Sequence, residues 1–169
     1  MKKKFKLGLF IGRFQPFHKG HMYALEFSAA MCKELVIGIG SAGESGTGRN
    51  PLSSKARIRI IRAALDGASL DTRCIRFIEI PDFKDDEKWF RYITRKEPGI
   101  EAVFSHHWLV KRIFREHGLA VIMPPWHKRS SLVATKIRRM IKEKRNWRGR
   151  VPAGAIKEIS LYEKIIRGA

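Results

Sequence analysis

The chain has 169 residues, 44% of them hydrophobic, with 35 lysines and arginines against 16 acidic residues, a formal net charge of +19. This is the length of one domain with its own core, which excludes a largely disordered chain, and no apolar run of about 18 residues exists to span a membrane. The two cysteines, Cys32 and Cys74, lie in apolar stretches and read as buried free thiols, while the charge predicts attraction to polyanions without choosing among nucleic acid, an acidic membrane surface and nucleotide phosphates.

Met1-Lys2-Lys3-Lys4 reads as a basic lead-in to a first strand over Phe5–Ile11, with no small-residue cleavage site after it, so the expected location is cytoplasmic. A Gly/Pro loop follows, then a helix from about Gly20 to Lys33. Leu35–Gly40 is a buried strand leading into a Gly-rich loop that runs through Asn50-Pro51. A helix over Ser53–Leu65 takes Ser53 or Ser54 as its N-cap. Cys74–Ile80 is the third strand, Asp85–Arg95 a helix, and Ala102-Val103-Phe104 starts the fourth strand. Leu109–His117 is a helix stopped by Gly118, and Leu119–Met123 a fifth strand ended by Pro124-Pro125. Helices over Ala134–Lys144 and Ala155–Ile166 close the chain, separated by Trp147–Pro152.

This alternation predicts βαβ units with right-handed crossovers, and continuous Val/Ile-rich strands suit a parallel sheet covered on both faces. The expected fold is α/β: a Rossmann-like, doubly wound parallel sheet of about five strands. It forms a single domain over residues 1–169, with a core at 5–145 and a C-terminal helical segment at 146–169. Ligands bind such sheets at the carboxyl ends of the strands. The functional loops are therefore expected at Gly12–His21, Ser41–Pro51, Pro81–Asp86, Ser105–Trp108 and Pro124–Thr135.

In the first loop, Gly12 lets the backbone approach a ligand closely, and Pro16 stiffens the turn. His18 and His21 fall on one face of the first helical turn if the helix begins near His18. A helix N-terminus already favours anions, and two imidazole donors would extend that site onto a polyphosphate, with Gly20 permitting close approach. Surface histidines and a zinc pair are the other readings of His-x-x-His, and no third zinc ligand is evident nearby.

The ten consecutive residues Gly-Arg-Phe-Gln-Pro-Phe-His-Lys-Gly-His, Gly12 to His21, resemble the signature of archaeal nicotinamide-nucleotide adenylyltransferases. These belong to the nucleotidyltransferase superfamily marked by a His-x-Gly-His loop. Leu132-Val133-Ala134-Thr135-Lys136-Ile137-Arg138-Arg139 resembles that family's Ser-(Ala/Gly)-Thr-x-x-Arg-Arg segment, with Val133 where the family has Ser. Thr135 is expected to cap that helix and Arg138 to share its face. Ile37-Gly38-Ile39-Gly40-Ser41-Ala42 looks like the family's second strand and loop. Arg49-Asn50-Pro51-Leu52 followed by Arg57 resembles its Arg-(Asp/Asn)-Pro-Phe…Glu-Arg stretch, and Pro81-Asp82 with Trp89 its pyridine-mononucleotide pocket. The departures are Asp86, where the family carries Asn, and Ser105-His106-His107, where it carries Ser-Gly-Asn.

The resemblance implies transfer of AMP from ATP to nicotinamide mononucleotide (NMN), giving NAD and pyrophosphate. It assigns His18, His21, Arg49 and Arg138 to catalysis. Gly12, Arg13, Phe14, Gln15, Gly20, Thr135 and Arg138 fall to ATP, and Ser41, Asp82, Asp86 and Trp89 to the acceptor. Arg49, on a loop with Gly43, Gly46 and Gly48, is expected to close over the triphosphate. Mg²⁺ is expected to arrive with ATP, since no carboxylate cluster forms a cage and no protein metal ligand is assigned. A homo-oligomer is implied. The alternatives are another phosphorylated acceptor, flavin mononucleotide (FMN) or phosphopantetheine, and a non-catalytic nucleic-acid-binding descendant. The latter would use Lys142, Lys144, Arg145, Arg148 and Arg150 around Trp147.

Overall fold

The computed structural model describes residues 3–68, 70–128 and 130–169. Met1 and Lys2 of the basic lead-in, and Arg129 of the loop expected at Pro124–Thr135, lie outside them. The strands are β1 (Phe5–Gly12), β2 (Cys32–Ile39), β3 (Ile75–Glu79), β4 (Ala102–Phe104) and β5 (Ala120–Ile122). The helices are α1 (Lys19–Met31), α2 (Ser54–Asp66), α3 (Asp86–Lys96), α4 (Trp108–Glu116), α5 (Ala134–Lys142), α6 (Ala155–Leu161) and α7 (Glu163–Gly168).

The strands pair in the order β3-β2-β1-β4-β5, every pair parallel. The middle of β1, the second half of β2 and all of β4 are apolar because the sheet is covered there on both sides, and successive side chains alternate between two cores. Phe10, Leu35, Ile37, Ile39 and Phe104 join the core built with α1, α2, α5, α6 and α7. Leu7, Leu9, Val36 and Val103 join the one built with Ile93 of α3 and Val110 and Phe114 of α4. The chain leaves β1 for β2 on one side and returns to β4 on the other. This order places a crevice at the carboxyl ends of β1 and β4, where the two directions of winding diverge.

The C-terminal segment completes the first core through Trp147, Val151, Ala155, Ile159 and Ile166. Gly154 makes this contact possible: a Cβ there would lie 2.0 Å from the Ala63 carbonyl oxygen. The expected helix over Ala155–Ile166 is broken at Tyr162 into α6 and α7. α5 stops at Lys142 rather than Lys144, which has a left-handed φ of 53°. Ser53 is the α2 N-cap, its hydroxyl accepting from Ala56 N–H.

Two surface expectations are corrected. Cys32 is buried, and burial pushes its thiol up to about 11, but Cys74 is only half-buried at the edge of β3. Trp147, expected amid an exposed basic cluster, is 2% exposed and donates its indole N–H to Glu163. Several cations around it are engaged internally: Lys142 donates to the Ala169 carbonyl, Arg145 pairs with Glu143, and Arg150 donates to the Ser131 carbonyl.

Candidate functional site

His18 is the N-cap of α1, and its Nδ1 accepts from the His21 backbone N–H at 3.2 Å. His21 reciprocates, its Nδ1 accepting from the His18 N–H at 3.3 Å. This is a capping box made with imidazoles, in positions where a hydroxyl and a carboxylate usually stand. The rings stack with centroids 3.6 Å apart and Phe17 packs parallel to His21. The arrangement fixes the tautomer. Each Nδ1 is an acceptor, so each neutral ring carries its proton on Nε2.

Burial holds the His18 imidazole down to about 4, and burial followed by the neighbouring His18 holds His21 well below its ordinary range. Both are therefore neutral at physiological pH. Protonation would place hydrogen on an accepting Nδ1 and break the cap. Gly20 fits beneath: a Cβ would sit 3.1 Å from the His18 ring.

Phe14 is buried with φ +52°, and its ring fills the space where a Gly12 side chain would be, 2.8 Å from an ideal Cβ. Gly12 thus makes room for Phe14 as well as bordering the crevice. The Gln15 side chain reaches the second loop. Its amide donates to the Leu52 carbonyl and accepts from the Leu52 N–H, clamping the first loop to the second. The Arg49 loop is braced within itself as well, because Asn50 donates to Glu44 and its N–H meets the Thr47 hydroxyl.

From the far end of the chain, Arg138 Nη1 donates to the Gln15 carbonyl at 2.8 Å. The α5 N-cap is Val133, without a side-chain hydrogen bond. Thr135 therefore does not cap, contrary to expectation, because it lies one residue inside the first helical position. Arg139 faces outward in an ion pair with Glu143.

A cavity of about 410 Å³ receives these groups: Gly12, Arg13, Phe14, Gln15, His18, Gly20, His21, Arg49, Thr135 and Arg138 all border it. Its described lining holds three arginines and five histidines and no carboxylate. The cations feel one another. The Arg13 guanidinium is lowered by burial and then by Arg49, and Arg138 by burial and then by Arg13. Such a clustering of cationic donors in a lining without carboxylates suits a polyanion. Among the described residues no group of three or more histidines, cysteines or acids could hold a metal ion. A hard cation here would need oxygens brought by the ligand.

The opposite wall is aromatic. Trp126 stacks on His106 at 3.6 Å and 16°, and Pro124, Pro125 and His127 complete it. Trp126 and His127 were not singled out from sequence, although Pro-Pro-Trp-His at the end of the last strand was a usable signal. His106, which stands where the family carries Gly, lies flat against Trp126.

The predicted acceptor residues do not border this cavity. Ser41 and Asp82 hydrogen-bond each other at 3.2 Å, and Asp82 acts electrostatically on Arg13. Asp86 pairs with Arg112 of α4, and Trp89 meets Phe114 edge-on at 6.0 Å. Both lie in the packing of α3 on α4. Arg57, quoted in the sequence only as part of a motif, is fully buried under the two loops.

Residues 9–140 match the family described as cytidylyltransferase-like. Among curated proteins, the nicotinamide-nucleotide adenylyltransferase of Thermococcus onnurineus is 41% identical over 95% of this chain and 87% of its own. The protein of the same name from Saccharolobus solfataricus is 39% identical over 90% of this chain and 88% of its own. Among solved structures, a bifunctional NMN adenylyltransferase/ADP ribose pyrophosphatase from Francisella tularensis, complexed with AMP and a manganese ion, superposes with a TM-score of 0.80 at 21% identity. That match covers 96% of this chain and 51% of the bifunctional chain, so this chain spans about half its length. It supports the fold. No helix among the described residues is long and apolar enough to cross a membrane.

Proposed function

Because the chain belongs to the cytidylyltransferase-like family, and within it to the nicotinamide-nucleotide adenylyltransferases, we propose that it transfers AMP from ATP to NMN, releasing NAD and pyrophosphate. The observation that carries this reading is the joining of the reciprocal His18–His21 cap and Arg138 in one acid-free cavity.

In the reaction, a phosphate oxygen of NMN attacks the α-phosphorus of ATP in line. The bond to the β-phosphate oxygen breaks, and pyrophosphate leaves with the electron pair. The acceptor oxygen is already anionic, so no base is required. The work is positioning and stabilisation of charge. His18 and His21 donate Nε2–H to oxygens around the scissile bond as neutral donors. Arg13, Arg49 and Arg138 clamp the phosphates, Arg138 on the leaving side, while the N–H groups opening α1 add the helix-terminus contribution. Mg²⁺, held by the triphosphate's own oxygens, would neutralise charge on the leaving group when bound. Ser41 and Asp82, beside Arg13, begin the acceptor half, and the motif likeness extends it to Asp86 and Trp89. A cytoplasmic homo-oligomer belongs to the same reading.

The test is pyrophosphate release from ATP and Mg²⁺ with NMN, FMN and phosphopantetheine in parallel. NMN is expected to be used, with NAD as product. Release with only FMN or phosphopantetheine would reassign the acceptor. No release with any of them, together with tight, salt-sensitive binding of RNA or DNA, would overturn the enzyme reading.

A further inference from the structure

Arg57 is 0% exposed, an unusual place for a guanidinium, and its hydrogen bonds go to backbone carbonyls. Nη1 donates to the Arg13 oxygen at 2.9 Å and to the Gly40 oxygen at 2.6 Å. Nη2 donates to the Ser41 oxygen at 3.0 Å, and Nε to the Ser53 oxygen at 3.3 Å. One planar group thus gathers the loop after β1, the loop after β2 and the start of α2. Burial pulls its pKa down to about 10, with Glu79 and Asp82 opposing, so it remains charged at physiological pH.

The placement matters because of what these carbonyls carry. Arg13 projects into the phosphate cavity. Ser41, held at a left-handed φ of 49°, presents its hydroxyl to Asp82. On the reading of the reaction above, the first belongs to ATP and the second to the acceptor. We propose that Arg57 is a positioning residue that sets the spacing between the triphosphate-binding and acceptor-binding halves, through the carbonyls of Arg13, Gly40 and Ser41. It touches neither substrate.

A side chain that sets spacing should affect the chemical step more than the binding of either substrate. Misplacement by about 1 Å can cost on the order of 10²-fold in rate. Lysine cannot substitute, because a single ammonium has no planar fork to reach acceptors on three segments. The experiment compares Arg57→Lys and Arg57→Ala with the parent enzyme. For Arg57→Lys, kcat with NMN should fall about 10²-fold, while the affinity for ATP titrated alone changes by less than about fivefold. Low millimolar guanidinium should raise kcat of Arg57→Ala by about tenfold or more and leave the parent unchanged.

A kcat for Arg57→Lys within about threefold of the parent would overturn the proposal, as would a loss carried equally by ATP affinity. Should Arg57→Ala fail to fold, Arg57→Lys decides. If the parent binds ATP but turns over no acceptor, the reaction assignment fails on its own. Arg57 is then judged by amide exchange: Arg57→Lys should speed exchange at residues 12–15 and 40–42 relative to Ile60 in α2, and unchanged exchange there would reject its role.

Discussion

The neutral, mutually capped histidines predict a specific acid sensitivity. The unfolded His18 takes up a proton near 6.5, whereas the folded residue does so only near 4, because burial disfavours the cation. Stability is therefore complete above about pH 6.5 and is lost as the pH falls toward 4. A gap of that size, at about 1.4 kcal/mol per unit, is worth on the order of 3 kcal/mol. For a domain of this length that corresponds to roughly 10 °C in Tm. His21, shifted in the same direction, adds to it. The assay is thermal unfolding at pH steps from 8 to 4 for the parent and for His18→Asn, which keeps an N-cap acceptor and does not titrate. The parent should lose Tm through this window more steeply than the variant. Turnover by the parent should be flat between pH 8 and 6 as far as this pair is concerned. Equal slopes for the two proteins, or turnover that rises as the pH falls through 6.5, would refute neutral donors and require a cationic imidazole.

Two further substitutions separate chemistry from packing. Arg138→Ala removes the donor joining α5 to the Gln15 carbonyl, and should lower kcat/KM about 10²-fold with the far-UV spectrum intact; near-normal turnover would remove Arg138 from the clamp. Gly154→Ala puts a methyl 2.0 Å from the Ala63 carbonyl oxygen, which α6 can relieve only by moving away from α2. Its expected cost is about 1–3 kcal/mol, seen as a Tm several degrees lower at unchanged kcat, and an unaltered Tm would contradict the close approach of the two helices.

Strand order along the chain and the carboxyl-edge position of the ligand loops were legible because they follow from alternation and burial. The start of β4 at Ala102 needed only an apolar run after a breaker. What sequence could not give was the partnership of side chains. Gln15, assigned to ATP by its place in the loop, does border the cavity, but no local pattern encodes that its amide also donates to and accepts from the Leu52 backbone. Thr135 looked like a cap because threonine often is one, but the helix begins two residues earlier than a cap at 135 requires. Asp86 and Trp89 were assigned by motif, and their contacts with Arg112 and Phe114 depend on how α3 rests on α4, which no local pattern encodes. Arg57 is the sharpest case, since a basic residue on an amphipathic helix reads as solvated surface until the tertiary fold supplies four carbonyls around it.

The net charge of +19 can be divided by what faces each cation. Arg76 lies between Glu34 and Glu97, Arg112 pairs with Asp86, and Arg167 with Glu163, so these charges are answered locally. The cluster around Trp147 offers no aromatic face for bases to stack on, because that ring is inside the core. Arg13, Arg49 and Arg138 differ: they share a concave lining that contains no acid, and burial lowers Arg13 and Arg138, to which Arg49 adds at Arg13 and Arg13 adds at Arg138. Mutual repulsion at a helix mouth is a state that a bound polyphosphate relieves, so the same cations that destabilise the empty cavity favour a triphosphate within it. Salt should accordingly weaken ATP binding far less than it would weaken a nucleic acid spread over the outer surface, since a triphosphate releases fewer counterions than a polyanion that meets many cations.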